Sequence, residues 1–346
     1  MKIAIVFGGV SFEHEISIVS AIAMKDVLSD ELVYIFLDEN REFYHIPTNT
    51  IKSKLFSSGE YKKCDKVDIC KNGFSKKAGF LGKDKPLDFD IVLNLSHGGD
   101  GEDGILSSVL EFFNIPFIAP RTEACVVSSN KFLTKGYASS VNVKTLDYKY
   151  YTKGDTVVVD TFPVIVKPVR LGSSIGVAIV KTQEELEYSL DVAYEFDNAI
   201  IIEPFMAGVK EYNLAGTKVN GEFKFSIIEE PQKADFLDFD KKYLDFSRTS
   251  TALEVDLGVE LNEKVKESFE RIYNNLFDGS IIRCDFFVVD NEVYLNEINS
   301  IPGSMANYLF DDFNSLFKKV ATTLPLKKHI PVTYEYVNKI HASKGK

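Results

Sequence analysis

The chain has 346 residues, 45% of them hydrophobic and 26% charged, a composition that excludes wholesale disorder. At roughly 150 residues per domain, that length predicts two or three domains. Its 40 lysines and arginines are outnumbered by 51 acids, giving a net charge of −11. Bulk binding to nucleic acid or to an anionic membrane is therefore not expected, while a local anion site built from a few lysines stays open.

The first apolar run, Ile3 to Phe7, is too short for a signal-peptide core and predicts a strand over 2–7, closed by Gly8-Gly9. No apolar run approaches the roughly 18 residues of a membrane span. Ile16, Val19, Ala23, Met24 and Val27 then recur at helical spacing. Residues 32–37 read as a strand, and 38–88, rich in Lys, Gly and Ser, as hairpins and loops. A strand over 89–95, a short helix over 105–113 and a strand over 115–118 follow. Strands alternating with helices imply parallel pairing with both sheet faces covered, so 1–119 is predicted to be an open, mostly parallel α/β domain.

A central unit is expected over 120–203: a helix over 130–138, strands over 162–166 and 176–180 joined by a Gly/Ser loop, and an exit strand over 199–203. Between the last two, Thr182-Gln183-Glu184-Glu185 has the capping-box pattern and opens a helix to about 196. The third unit, 204–346, makes the second half α+β, with Asn220-Gly221 as a hairpin turn. The charged, aperiodic stretch 233–251 reads as a lid or as disordered, and the tail 341–346 as frayed. Cys64, Cys70, Cys125 and Cys284 form no C-x-x-C pair; reduced thiols of a cytoplasmic protein are expected, and structural zinc is not.

Three constellations carry chemistry. The segment Val166-Lys167-Pro168-Val169-Arg170-Leu171-Gly172-Ser173-Ser174 is a strand, a lysine and a small-residue loop. Such a loop lets backbone N–H groups approach a phosphate, and a tight turn with a chance lysine is the plain alternative. Arg283, Asp285, Glu297 and Asn299 lie on two strands of a hairpin. A three-residue loop at 290–292 would pair 285 with 297 and 283 with 299, gathering all four on one face; a two-residue loop would split the acids. Two carboxylates and an amide oxygen suit Mg²⁺, a solvated ion-paired face being the alternative. Finally, Ser96-His97-Gly98-Gly99-Asp100-Gly101-Glu102-Asp103-Gly104 and Gly8-Gly9-Val10-Ser11-Phe12-Glu13-His14-Glu15 both follow strands, where open α/β sheets bind ligands. Glu15 at a helix start would equally well serve the helix dipole.

In this order, with Asn130-Lys131 between them and Pro302-Gly303 at the end, these motifs resemble the ATP-grasp enzymes of the D-alanine–D-alanine ligase family. The resemblance covers the chain outside about 38–88 and implies three domains, with ATP held between the sheets of the second and third. It implies that Lys131, Lys167 and Ser174 bind ATP phosphates, that Glu203 and the backbone at Phe205 and Met206 meet adenine, and that Glu211 holds the ribose. Asp285, Glu297 and Asn299 match ligands of two Mg²⁺ or Mn²⁺ ions, and Arg283 the charge beside the reacting phosphate. Glu15 would meet the ammonium of the first D-alanine with His97 beside it, and the Gly303 N–H would face the tetrahedral intermediate.

Within 233–251, Lys242 would reach the γ-phosphate and Tyr243 would cover the substrates and bond toward Glu15 and Ser173. Tyrosine at 243 favours a dipeptide product over D-alanyl-D-lactate. Tyr308-Leu309 stands where many members carry Ser-Leu at the second substrate's carboxylate, so a phenol there donates from a different distance. The resemblance further implies a cytoplasmic homodimer supplying peptidoglycan precursor. The rival readings are a D-alanine–D-lactate ligase, another ATP-grasp carboxylate–amine ligase, and a non-catalytic nucleotide-binding protein.

Overall fold

Ile3, Ala4, Ile5, Val6 and Phe7 are all shielded from solvent, because the strand they form, β1 (Lys2–Gly8), lies inside a sheet covered on both faces. The computed structural model of the chain describes residues 1–77, 83–231, 253–274, 276–325 and 329–344. Parallel to β1 run β2 (Glu31–Leu37) on one side and, on the other, a later strand at Ile91–Asn94. The described residues of 38–88 do form hairpins, as expected, and these extend the same sheet. The strands β3 (Phe43–Ile46), β4 (Asp65–Cys70), β5 (Gly73–Lys76) and β6 (Lys85–Pro86) add on antiparallel beyond β2. With β7 (Ile91–Asn94) and β8 (Phe117–Ile118) the sheet has eight strands in the order β6-β5-β4-β3-β2-β1-β7-β8. The helix α1 (His14–Val27) packs on it through Ile18, Ala21 and Met24.

The short strand β9 (Lys144–Thr145) precedes a second, antiparallel sheet of four strands. These are β10 (Lys149–Thr152), β11 (Val164–Pro168), β12 (Ala178–Val180) and β13 (Ala199–Pro204), in the order β10-β13-β11-β12. The helix Gln183–Phe196 closes one face, its Leu186 and Ala193 meeting Val164, Val166, Val180, Ile200 and Ile202. Thr182 makes no cap bond to the backbone; Glu185 instead accepts from the Lys181 N–H at 2.7 Å.

The third sheet holds β14 (Lys210–Val219), β15 (Glu222–Glu229), β16 (Ile282–Val289) and β17 (Glu292–Asn299), in the order β15-β14-β16-β17-β9. The helix Val259–Tyr273 buries Val265, Phe269, Ile272 and Tyr273 against it. Ala124, Ala138 and Val143 belong to this same core, and β9 pairs with β17. The chain from about 122 to 145 therefore shares the core of the third unit, and it also touches the four-stranded sheet, where the Phe132 and Tyr150 rings lie 4.7 Å apart. Among the described residues, no helix is long and apolar enough to cross a membrane.

The β16–β17 hairpin departs from the expected turn. Its loop has two residues, Asp290 and Asn291, both with left-handed φ (48° and 64°), so Val289 pairs with Glu292 and Phe286 with Leu295. A regular ladder from that turn would face Glu297 away from Asp285. A bulge opposite the step between Asp285 and Phe286 absorbs one extra residue, Asn296, and the register resumes as Asp285 with Glu297 and Arg283 with Asn299. The four residues share a face after all, by a bulge and not by a longer loop.

Candidate active site

Strand alternation places Lys167 of β11 on the same face as Ile165, which is paired with Glu203 of β13. The Lys167 ammonium reaches one Glu203 oxygen at 2.6 Å, and Lys135 pairs with the other. Lys135 is one helical turn beyond Lys131 in the helix Lys131–Ser140, so both face inward. Asn130 caps that helix, accepting from the N–H groups of Phe132 and Leu133 at 3.0 and 3.1 Å. Glu203 is buried, which by itself would raise its carboxyl, but Lys167 and Lys135 hold it down at about 2. Burial pulls both Lys131 and Lys135 below the ordinary lysine range, the carboxylates of Glu297 and Glu203 acting against it.

Lys131 is held against the 169–171 segment, its N–H donating to the Val169 carbonyl at 3.0 Å. Its Nζ donates to the Leu171 carbonyl, and its charge is felt from Glu297, Lys167, Glu203 and Glu13, which come from all three sheets and their loops. Asn296, the bulged residue, ties the second sheet to the third: its Oδ1 accepts from Lys167 and its Nδ2 donates to Glu211, each at 3.3 Å. Arg283 grips Asp285 with two parallel bonds of 2.7 and 2.9 Å, and Asn299 donates to Asp285 at 2.9 Å. Burial works against the Arg283 charge, yet the paired Asp285 carboxylate holds it well above its ordinary range.

The first loop corrects the assignment of Glu15. Glu15 is exposed on α1, whereas Glu13, one residue before the helix, is buried and accepts from the Ser173 hydroxyl. A Cβ at Gly98 would lie 2.6 Å from the Glu13 carboxylate, and one at Gly172 would lie 3.1 Å away. Glycine at both positions is what lets the carboxylate sit between the 96–104 and 171–175 loops. Burial and the charge of Glu102 hold Glu13 above the usual carboxylate range, against the Ser173 bond and the charges of His97 and Lys131. His97 is buried beside it, with Nε2 at 3.0 Å from the Ser20 hydroxyl and Nδ1 at 3.6 Å from Glu102. Ser173 and Ser174 are consecutive left-handed residues (φ 54° and 59°), a strained turn closed by the Ile175 N–H on the Gly172 carbonyl at 3.1 Å.

The remaining expected residues divide. Gly303 opens a segment in which Ser304, Met305 and Ala306 are all left-handed, at about 1–2 kcal/mol each for non-glycine residues. Tyr308 follows, its hydroxyl donating to buried Glu229 at 3.4 Å. Leu309 is buried and packs in the core against Ala215 and Ala306. The Phe205 N–H donates to the Pro163 carbonyl at 3.0 Å and is thereby engaged. Met206 is half-buried beside it. Lys242 and Tyr243 lie outside the described residues.

Glu13, Lys135 and Asn296 were missed. Lys135 carried a signal, the four-residue spacing from Lys131; Asn296 carried none, since bulges leave no period. Among the described residues, no group of three His, Cys, Asp or Glu side chains gathers to hold a metal. The available donors are two carboxylates and an amide on one face, hard oxygens that fit Mg²⁺ when phosphates and water complete the shell.

Comparison with known proteins gives the same picture over the whole length. Residues 2–120 match the family described as D-ala D-ala ligase N-terminus, and residues 142–319 the one described as D-ala D-ala ligase C-terminus. The chain is 56% identical to the D-alanine--D-alanine ligase of Wolinella succinogenes and 54% identical to that of Campylobacter jejuni, with 100% of both chains covered in each case. The crystal structure of D-Alanine-D-Alanine Ligase from Helicobacter pylori is 49% identical, with a TM-score of 0.85 over 95% of this chain and 100% of that one.

Proposed function

The chain belongs to the D-alanine–D-alanine ligase family, and from that premise we propose that the cleft around Lys131 is where its reaction takes place. It is a ligase that joins two D-alanines at the expense of ATP and serves cell-wall synthesis. The observation that carries the placement is the bonding that joins the three units there: Lys167 reaches Glu203 at 2.6 Å and Asn296 at 3.3 Å, and the Ser173 hydroxyl donates to Glu13.

In this reading Lys131, Lys167 and the 171–175 loop, including Ser174, hold the ATP phosphates, and the lysine-clamped Glu203 with the Met206 backbone faces adenine. Glu211, oriented by Asn296, holds the ribose. Glu13 takes the ammonium of the first D-alanine, with His97 beside it. The carboxylate of that D-alanine attacks the γ-phosphorus, giving an acyl phosphate and ADP; Lys167 and Arg283 stabilise the charge on the transferring group. The amine of the second D-alanine then attacks the acyl carbon, and phosphate leaves. Arg283 and the Gly303 N–H stabilise the oxyanion, and Tyr308 adjoins the second substrate. When bound at Asp285, Glu297 and Asn299, two Mg²⁺ or Mn²⁺ ions would supply charge neutralisation at the phosphates. Lys242 and Tyr243 would close the site from the lid at 233–251, excluding water from the acyl phosphate. We also propose the division 1–119, 120–203 and 204–346, a cytoplasmic location, and a homodimer.

The test is mass-spectrometric detection of D-alanyl-D-alanine from ATP, Mg²⁺ and D-alanine, with D-lactate and L-alanine as competing acceptors. The dipeptide should dominate. Phosphate release that does not depend on D-alanine would defeat the reading.

A further inference from the structure

Ser20 lies on α1 with its side chain fully buried. Two groups from distant parts of the chain converge on its Oγ. The backbone N–H of Ser304, one residue past Gly303, donates to it at 3.1 Å, and His97 Nε2 lies 3.0 Å away. The N–H can only donate, so it occupies one lone pair and leaves the hydroxyl proton for Nε2. That arrangement suits a neutral His97 whose one ring proton sits on Nδ1, toward Glu102 at 3.6 Å. If His97 is doubly protonated, Nε2–H donates to the second lone pair instead. A serine accommodates both states, and an alanine neither.

The segment that Ser20 holds needs holding. Ser304, Met305 and Ala306 are consecutive left-handed residues with φ of 47°, 57° and 50°, and all three are buried. Such a turn persists only where its surroundings over-determine it. Two restraints are local: Met305 N–H donates to the Pro302 carbonyl at 2.8 Å, and Asn307 Nδ2 donates to the Ser304 carbonyl at 2.7 Å. Ser20 supplies the restraint from another sheet's helix.

We propose that Ser20 is a positioning residue that locks the His97 loop and the Gly303 turn in one register, so that the Gly303 N–H meets the acyl oxygen as charge builds on it during the second half of the reaction. This rests on the placement of Gly303 given above. Its consequence is a coupling function: without Ser20 the acyl phosphate still forms, but attack by the second D-alanine is slowed and water competes.

The experiment compares Ser20→Ala with Ser17→Ala in the full-length enzyme, measuring phosphate released per dipeptide formed. Ser17 is an equally buried serine of α1 whose hydroxyl bonds only Gly8 N–H and the Leu95 carbonyl, at 2.7 and 2.6 Å, so it controls for a purely structural loss. The ratio is taken per turnover and is independent of the folded fraction. Wild type and Ser17→Ala should release close to one phosphate per dipeptide. In Ser20→Ala the excess over one, which is the phosphate lost to water, should rise about three- to tenfold above the wild-type excess, the weight of one hydrogen bond in the partition. If Ser20→Ala yields no folded protein, Ser20→Cys, which keeps the volume but bonds weakly, should show a smaller excess. An excess in the Ser20 variants no larger than that of wild type, or equal uncoupling by Ser17→Ala, would overturn the inference while leaving the ligase reading intact. A wild type that makes no dipeptide would overturn both.

Discussion

Replacing Glu13 by glutamine keeps the shape of the side chain and its bond from Ser173 but removes the charge that is proposed to meet a substrate ammonium. The site is buried, with Gly98 and Gly172 closed around the carboxylate, so water does not screen that pairing. Truncating one partner of a buried charge pair costs about 2–5 kcal/mol, or roughly thirty- to several-thousand-fold in kcat/KM for the first D-alanine. Glu15→Gln, two residues on and exposed, should stay within about 0.5 kcal/mol, less than about threefold. The assay is steady-state dipeptide formation with D-alanine varied, alongside thermal denaturation of both variants. The reasoning is refuted if Glu15→Gln carries the large loss, or if Glu13→Gln loses less than threefold.

That pair of glutamates shows where the sequence stops being readable. Both stand at the junction of a strand and a helix, and which one faces the cleft depends on where the first helical turn begins. The helix starts at His14, so Glu13 stays in the loop and turns inward. The alternating β16–β17 pattern was legible, and so was the set Arg283, Asp285, Glu297 and Asn299. The means of bringing them together was not, because a two-residue turn followed by a bulge mimics a three-residue loop in register. Residues 38–88 were legible as hairpins but not as part of the first sheet, since strands as short as Phe43–Ile46 and Lys85–Pro86 carry little pattern. The parallel core was the clearest reading, since strands covered on both faces must be apolar throughout.

Four further outcomes follow from the cleft. Holding Glu203 at about 2 instead of 4.5 stabilises the fold by about 3 kcal/mol at neutral pH. Because the folded value is the lower one, this contribution is present above about pH 4.5 and is lost as the pH falls toward 2; urea unfolding across that window should show Glu203→Gln with a flatter acid limb than wild type. Lys135→Ala strips one partner from that buried carboxylate and should lower the unfolding free energy by about 3 kcal/mol, read in the same experiment at pH 7. Asn296→Ala removes the bonds to Lys167 and Glu211 and should raise the KM for ATP by roughly three- to tenfold with a smaller change in kcat. Glu297→Gln should weaken Mn²⁺ binding at least about tenfold by electron paramagnetic resonance titration in the presence of nucleotide, while leaving the thermal midpoint nearly unchanged.

The most direct measurement follows the oxygen atoms. D-Alanine labelled with oxygen-18 in its carboxylate is converted with ATP, and the inorganic phosphate is analysed by mass spectrometry. If the cleft around Lys131 activates the carboxylate by phosphoryl transfer, each dipeptide leaves one labelled oxygen in the phosphate. Unlabelled phosphate, or label recovered in AMP, would contradict the account.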